Sequence, residues 1–274
     1  MNDNTHETWG VEHVQLTGAS RFLFRCHDGL SCWGTCCRSM DIMVAPFDVL
    51  RLKRRLGVTS GEFLDRYTET KLHEESSLPI IILRTGEGEE RKCPFLGDKG
   101  CTVYEDRPAI CRYYPIGLAT LRAKKEEGIT DERFYFRVRE EFCLGHHEER
   151  EWTVDEWRED QGASVDDEAN ADWQRAFLSR ALPGEEKIDP RRQSLFMMTC
   201  YDLDTFRRFV GESAFLENFE VEPETVEKIM EDDEELLRFG MRYMKYFMMI
   251  EETMTPRTGA VEKWKVRKSA GSGE

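Results

Sequence analysis

Four cysteines, Cys26, Cys32, Cys36 and Cys37, fall within twelve positions of a 274-residue chain, the last two side by side. Four more follow at Cys93, Cys101, Cys111 and Cys143. The spacing is C-x5-C-x3-C-C, then after 55 residues C-x7-C-x9-C, then x31-C. Thiols at this density can form disulfides, ligate a metal or act as nucleophiles. The total of nine is odd, which counts against a closed disulfide framework. The first residues, MNDNTHETWGVEHVQLTG, lack the basic start and apolar run of a secretory signal. No window approaches ~20 uninterrupted apolar residues, so the expected location is cytoplasmic, with no membrane association. Thiols stay reduced in that compartment, and the cluster therefore reads as metal-binding or catalytic.

Thiolate suits zinc and the iron of iron–sulfur clusters, and one tetrahedral zinc or one four-iron cluster takes about four such ligands. Eight cysteines can thus serve two centres, or one centre with thiols to spare. None of the gaps is the C-x2-C of zinc ribbons. A C-x3-C-x2-C site starting at Cys32 is broken by Ser39. The Cys93-Pro94 pair and the nearby aromatics Trp33, Phe95, Tyr113 and Tyr114 favour a [4Fe–4S] cluster over zinc. Arg107 and Arg112 are candidate cofactor-binding residues, since guanidinium groups can hydrogen-bond metal-bound sulfur and offset its charge. The alternative is that they pair with Glu105 and Asp106 at the surface. His27, His146 and His147 lie beside Cys26 and Cys143 and are either extra ligands or exposed loop residues. Cys200, within LFMMTCYDL, reads as a buried structural thiol.

The elements that must position these residues divide the chain. Residues 20–148 read as a loop-rich, cysteine-bearing metal domain, 149–254 as a helical region and 255–274 as a flexible, linker-like tail. In the first part, PFDVLRLKRRLG (46–57) predicts a helix between Pro46 and Gly57. TSGEFLDRYTETKL opens with Thr59 and Glu62 at capping-box spacing and predicts a second helix. PIIILR (79–84) reads as a buried strand. RFYFRVR (133–139) alternates as a half-buried strand and pairs with IGLATLR (116–122) through the turn AKKEEGITDE. Pro108 and Pro115 bracket a short helix carrying Cys111. Further on, Thr153 and Glu156 form a capping box, and helices are expected at about 164–181, 190–200, 202–218 and 223–253. The stripe Phe239, Met241, Met244, Phe247 and Met248 reads as core filling. The fold class is α+β, with a short antiparallel sheet and helices around the cysteines and a mainly α-helical C-terminal half.

FRCHDGLSCWGTCCRS together with CPFLGDKGCTVYEDRPAICRYYPIG resembles the YkgJ-type cysteine-cluster proteins, described as zinc- or iron-chelating. The family's hallmark is a cysteine string ending in Cys-Cys, then C-x-F-L, C-x-Y-x-x-R-P and C-R-x-[YF]-P. Here these are Cys36-Cys37, Cys93 with Phe95 and Leu96, Cys101 with Tyr104, Arg107 and Pro108, and Cys111 with Arg112, Tyr114 and Pro115. The likeness covers roughly residues 22–145. The front differs, C-x5-C-x3-C-C standing where the family has C-x2-C-x2-C-C. The resemblance implies metal binding. Flagellin lysine methylases, which carry a similar cysteine pattern with a four-iron cluster and S-adenosylmethionine, are distantly similar. The expected function is a metal-binding protein with a thiolate-ligated centre, iron–sulfur rather than zinc. The alternatives are a cluster-dependent protein lysine methyltransferase-like enzyme using S-adenosylmethionine, or a zinc-binding structural or chelating protein. The net charge of −15 argues against nucleic acid. Thirteen acidic against four basic residues over 211–254 make the helical region a candidate surface for a protein partner.

Overall fold

A computed structural model describes residues 10–38, 40–74, 77–86, 91–125, 128–178 and 188–259. The chain opens with strands β1 (Val11–Leu16) and β2 (Arg21–Leu23), a 3-10 turn at Thr35–Cys37, then helices α1 (Pro46–Leu56) and α2 (Ser60–Tyr67). Short strands follow: β3 (Thr68–Leu72), β4 (Pro79–Leu83), β5 (Leu96–Gly97) and β6 (Gly100–Cys101). A 3-10 turn at Tyr104–Asp106 leads to α3 (Ala109–Tyr113), β7 (Ile116–Lys125), β8 (Gly128–Val138), a 3-10 turn at Leu144–His147 and β9 (Glu151–Thr153). After α4 (Val154–Asp160) and α5 (Ala163–Trp173) comes a π-helical turn, Gln174–Leu178. The remainder is α6 (Pro190–Cys200), α7 (Leu203–Glu212), α8 (Phe215–Asn218), β10 (Phe219–Glu220), α9 (Pro223–Glu231), α10 (Asp233–Phe247) and β11 (Thr255–Pro256). The fold is α+β, with the helices concentrated in the C-terminal half. Among the described residues no helix is long and apolar enough to cross a membrane.

Two compact units share the chain. The first is Met1–Asp48, Tyr67–Glu69 and Ile81–Ala171; the second is Val49–Arg66, Thr70–Ile80 and Asp172–Glu274. The boundary expected at 148/149 falls inside the first unit. There β7 and β8 form a long antiparallel hairpin, and β1 adds to β8 with Val11 opposite Val138. The hairpin turn is shorter than the ten residues AKKEEGITDE, because pairing continues to Lys125 opposite Gly128. β2 pairs with β9, Phe22 opposite Trp152. A core of Phe22, Phe24, Tyr113, Ile116, Trp152 and Trp157 closes between them. Trp157 meets Phe24 and Trp152 edge-on, with ring centroids at 5.4 and 5.3 Å. Its indole N–H donates to Tyr113 O at 3.1 Å, so the ring is buried without leaving its polar atom unpaired.

In the second unit, Phe206 stacks on Phe239 and Tyr243 at 6.3 and 6.4 Å, and Phe215 meets Tyr243 edge-on at 4.9 Å. Met241, Met244 and Met248 are buried, as core filling requires. Lys53, itself buried, bonds Asp204 at 3.1 Å and Asp233 at 3.2 Å.

Several expected boundaries move. The Thr59–Glu62 capping box forms, with Glu62 N–H donating to Thr59 Oγ1 at 3.2 Å. The helix it starts stops at Tyr67, since the β-branched stretch TETKL extends as β3. The helix expected over 223–253 breaks at Asp232, whose extended backbone and carboxylate cap α10 through the amides of Glu234 and Glu235. That expected over 202–218 breaks at Ser213. Of the helix expected over 164–181, residues 179–181 lie outside the described residues. The tail expected to be flexible begins with β11, paired to β10; its residues 260–274, with KSAGSGE, lie outside the described residues.

Candidate metal centre

All nine cysteines are free thiols. The first four ride on consecutive tight turns: Trp33 N–H bonds Leu30 O at 2.9 Å and Thr35 N–H bonds Cys32 O at 3.0 Å. Gly34, at φ +75, enters the 3-10 turn that carries Cys36 and Cys37. A side chain there would be strained in the left-handed region. Gly100, at φ +104, is needed twice over, since a Cβ would also lie 2.9 Å from the Trp33 ring.

Backbone pairing then brings the distant cysteines in. Cys93 N–H donates to Cys37 O at 2.8 Å, beside a bridge between Arg38 and Lys92. The β5–β6 hairpin sets Cys101 opposite Leu96. Cys111 sits on α3, whose first amide, Ala109 N–H, donates to Asp48 Oδ1 at 3.0 Å; the other Asp48 oxygen accepts from Ala45 N–H at 2.9 Å. At the far end of the domain, Leu144 N–H donates directly to Cys32 Sγ at 3.3 Å, and Arg25 N–H bonds Gly145 O at 3.1 Å.

The sulfurs are prepared for negative charge. Amides of Phe95 and Leu96 donate to Cys93, that of Val103 to Cys101 and that of Gly145 to Cys143. Each such bond favours thiolate, as a metal-ligand loop requires. Burial opposes it and wins, so Cys93, Cys101 and Cys143 all ionise above the ordinary thiol range. Burial together with Cys36, Cys143 and Cys32 pushes Cys26 up to about 12. Cys111 is pushed up by burial, then by Cys93, Asp48, Cys36 and Cys101. Cys36 is the exception, drawn down to about 7 by a hydrogen bond from the Cys37 thiol, which is itself held far up. Six thiols, Cys26, Cys37, Cys93, Cys101, Cys111 and Cys143, resist ionising, and a cation would relieve them, because coordination deprotonates thiol and removes the mutual repulsion. As they stand, the thiols converge without closing a coordination shell: among the described residues no three Cys, His, Asp or Glu side chains are grouped to grip one ion.

Residues 25–144 match the family model described as "CxxCxxCC: Putative zinc- or iron-chelating domain". The match makes this segment similar to the cysteine-cluster domains, over 120 of the 274 residues. Its span takes in all eight clustered cysteines and leaves out Cys200. No curated protein and no solved structure matches the chain. That likeness of the cysteine-cluster domain supports zinc or iron binding, and its thiol set suits either ion.

Arg107 and Arg112, the two candidate cofactor-binding residues, have separate surroundings. Arg112 is buried and donates to the carbonyls of Arg107 (3.1 Å), Gln161 (2.7 Å) and Glu105, and pairs with buried Asp166 at 3.0 Å. It ties α3, and so Cys111, to the start of α5. Arg107 donates to Tyr104 O and to Gln161 Oε1 (2.6 Å), and its charge bears on Cys101. Glu105 is met through its carbonyl by Arg112. His27 takes the amide of Gly29 on Nδ1 at 3.2 Å and faces Glu148 at 3.5 Å; His147 is exposed. His146 is buried against Phe24 and Arg137, and its Nε2 has no hydrogen-bond partner among the described residues. Cys200 lies in the second unit, 3.9 Å from Met241 Sδ. One participant carried no sequence signal, and another was singled out without its partner. Asp48 looks like any helix-start acid, and Tyr114 only becomes a neighbour of Cys143 through the fold.

Proposed function

We propose that the cysteine-cluster domain binds a thiolate-ligated iron–sulfur centre of the [4Fe–4S] type in preference to zinc. The observation that carries this reading is that Cys26, Cys37, Cys93, Cys101, Cys111 and Cys143 all feel the charge of Cys36, with backbone amides directed at Cys32, Cys93, Cys101 and Cys143. A tetrahedral zinc and a [4Fe–4S] cluster each take about four thiolates, so the preference for iron–sulfur rests on the surroundings of the thiols. Buried aromatic surroundings add support: Phe95 is 4% and Tyr113 7% exposed, and Tyr114 lies beside Cys143. Such surroundings exclude water from a cluster. Cys37, Cys93, Cys101 and Cys111 would supply ligands, with Arg107 offsetting charge at Cys101. Bound there, a cluster supplies one-electron chemistry or a structural crosslink.

The test is the metal and acid-labile sulfide content of anaerobically purified protein, with its visible spectrum. Iron and sulfide in equal amounts with a broad band near ~400 nm support the reading. Stoichiometric zinc without sulfide overturns it and leaves a zinc-binding domain.

A further inference from the structure

The 2.8 Å bond from Cys93 N–H to Cys37 O lies beside the antiparallel bridge between Arg38 and Lys92. One step along that register, Cys37 stands directly opposite Cys93. Opposed residues of an antiparallel pair have Cα atoms about 4.5–5.5 Å apart and side chains on one face. A disulfide takes Cα atoms about 4.4–6.8 Å apart, so the pair fits, and its Cβ atoms need approach by only about 1 Å. The bridge is isolated, so no extended ladder resists that approach. Among the described residues no other two cysteines are set opposite by strand register. Cys36 and Cys37 are adjacent, with Cα atoms about 3.8 Å apart, below the disulfide range. Cys101 faces Leu96 across the β5–β6 hairpin, Cys111 sits on a helix, and the Cys32 sulfur accepts the amide of Leu144 at 3.3 Å. Cys93 is buried and Cys37 half-buried, so a small oxidant reaches the pair from the Cys37 side.

We propose that Cys37 and Cys93 are a redox-modification site: a small disulfide such as oxidised glutathione converts them to one cross-strand disulfide, which withdraws both sulfurs from the metal centre. The withdrawal rests on the metal-binding reading; the disulfide does not. In the first step one protein thiolate attacks the small disulfide, whose S–S bond breaks; a mixed disulfide forms and one small thiol leaves. In the second, the other protein thiolate attacks the mixed bond and the second small thiol leaves. Two protein thiols are oxidised, one small disulfide is reduced, and the two protein protons end on the departing thiols. Exchange among neighbouring thiols moves the bond until the least distorted pair holds it, so the thiol struck first does not decide the product.

The test equilibrates metal-free, reduced full-length protein with glutathione mixtures of rising oxidised fraction, blocks free thiols and maps linked peptides by mass spectrometry. The expected result is a fall from nine free thiols to seven, with Cys37–Cys93 the main link, reversed by excess reduced glutathione. Cys93→Ser is expected to lose the link, and Cys200→Ser, in the second unit, to keep it. A main link between any other pair overturns the assignment. So does a chain that keeps nine free thiols or only takes up glutathione. The linked protein is then titrated anaerobically with Co²⁺, following thiolate-to-cobalt absorption. Its affinity is expected to fall ~10-fold or more below that of the reduced protein, since even outer-shell partners are worth that much. Equal affinity overturns the withdrawal from the metal centre. No Co²⁺ bound by the reduced protein overturns the metal-binding reading and leaves the disulfide judged by its own map.

Discussion

Replacing Cys37 by Ala should silence the most reactive thiol of the metal-free protein. The Cys37 thiol donates to Cys36, and the first proton leaves this pair near 7 instead of the ordinary 9.0. At pH 7 that makes about half of the first-titrating thiol thiolate, against about 1% for an unassisted one, a ~50-fold difference. Nucleophilicity falls as pKa falls, with a Brønsted slope of ~0.45, which returns about 8-fold of the advantage. The net expectation is that Cys37→Ala slows alkylation of Cys36 by at least ~6-fold, and by more if burial carries its pKa above 9. Comparison with Cys26 sharpens the argument. Cys26 is exposed and Cys36 half-buried, so access alone would favour Cys26. Yet with Cys26 at about 12, the same arithmetic puts Cys36 ahead by a few hundred-fold, so ionisation should outweigh access. The assay is limiting iodoacetamide at pH 7 on reduced, metal-free protein, with sites mapped by peptide mass spectrometry. Labelling of Cys26 before Cys36, or a Cys36 rate indifferent to Cys37→Ala, would refute the hydrogen-bonded pair.

Three further outcomes follow from the packing. Burial, then Arg137 and Arg139, lowers His146 to about 4, so the folded protein keeps it neutral while the unfolded chain takes a proton near 6.5. Stability is therefore full above ~6.5 and falls as pH drops toward 4; about 2 kcal/mol should be lost between pH 7.5 and 5, and urea unfolding of His146→Leu should show that much less pH slope. Gly240→Ala places a Cβ 2.5 Å from Thr199 O and 3.1 Å from Phe206. The clash is with backbone, so it outweighs the ~1 kcal/mol helix gain, and a net loss of ~1–3 kcal/mol is expected in thermal unfolding. A Gly240→Ala protein as stable as wild type would contradict the close α6–α10 approach. Finally, Cys93→Ser and Cys111→Ser should lower metal content by elemental analysis, whereas Cys200→Ser should keep it and lose ~1–3 kcal/mol of stability for burying a hydroxyl. Full metal retention in the first two would sink the ligand assignment.

Features written in neighbouring residues were legible before any fold was known. The Thr59–Glu62 and Thr153–Glu156 capping boxes, the alternation of RFYFRVR, the prolines around Cys111 and the methionine stripe of α10 each depend on contacts a few residues apart. The density of eight cysteines was enough to indicate thiolate–metal chemistry, because few other uses need so many reduced thiols in ~120 residues. Boundaries were less legible where one residue acts in two ways. Asp232 has ordinary helical neighbours, and only its carboxylate turned onto the amides of Glu234 and Glu235 stops α9 and starts α10.

What only the tertiary structure decided are pairings between segments far apart in the chain. Leu144 reaches Cys32 across 112 residues, Asp48 caps the Cys111 helix across 61, and Arg112 is met by Gln161 across 49. No local propensity encodes such separations, since they depend on where β2 and β9, or β5 and β6, come into register. The kind of chemistry was therefore set by residue type and count, which any local stretch displays. Which cysteine segments lie beside one another was set by backbone hydrogen bonds, which exist only once distant segments have packed.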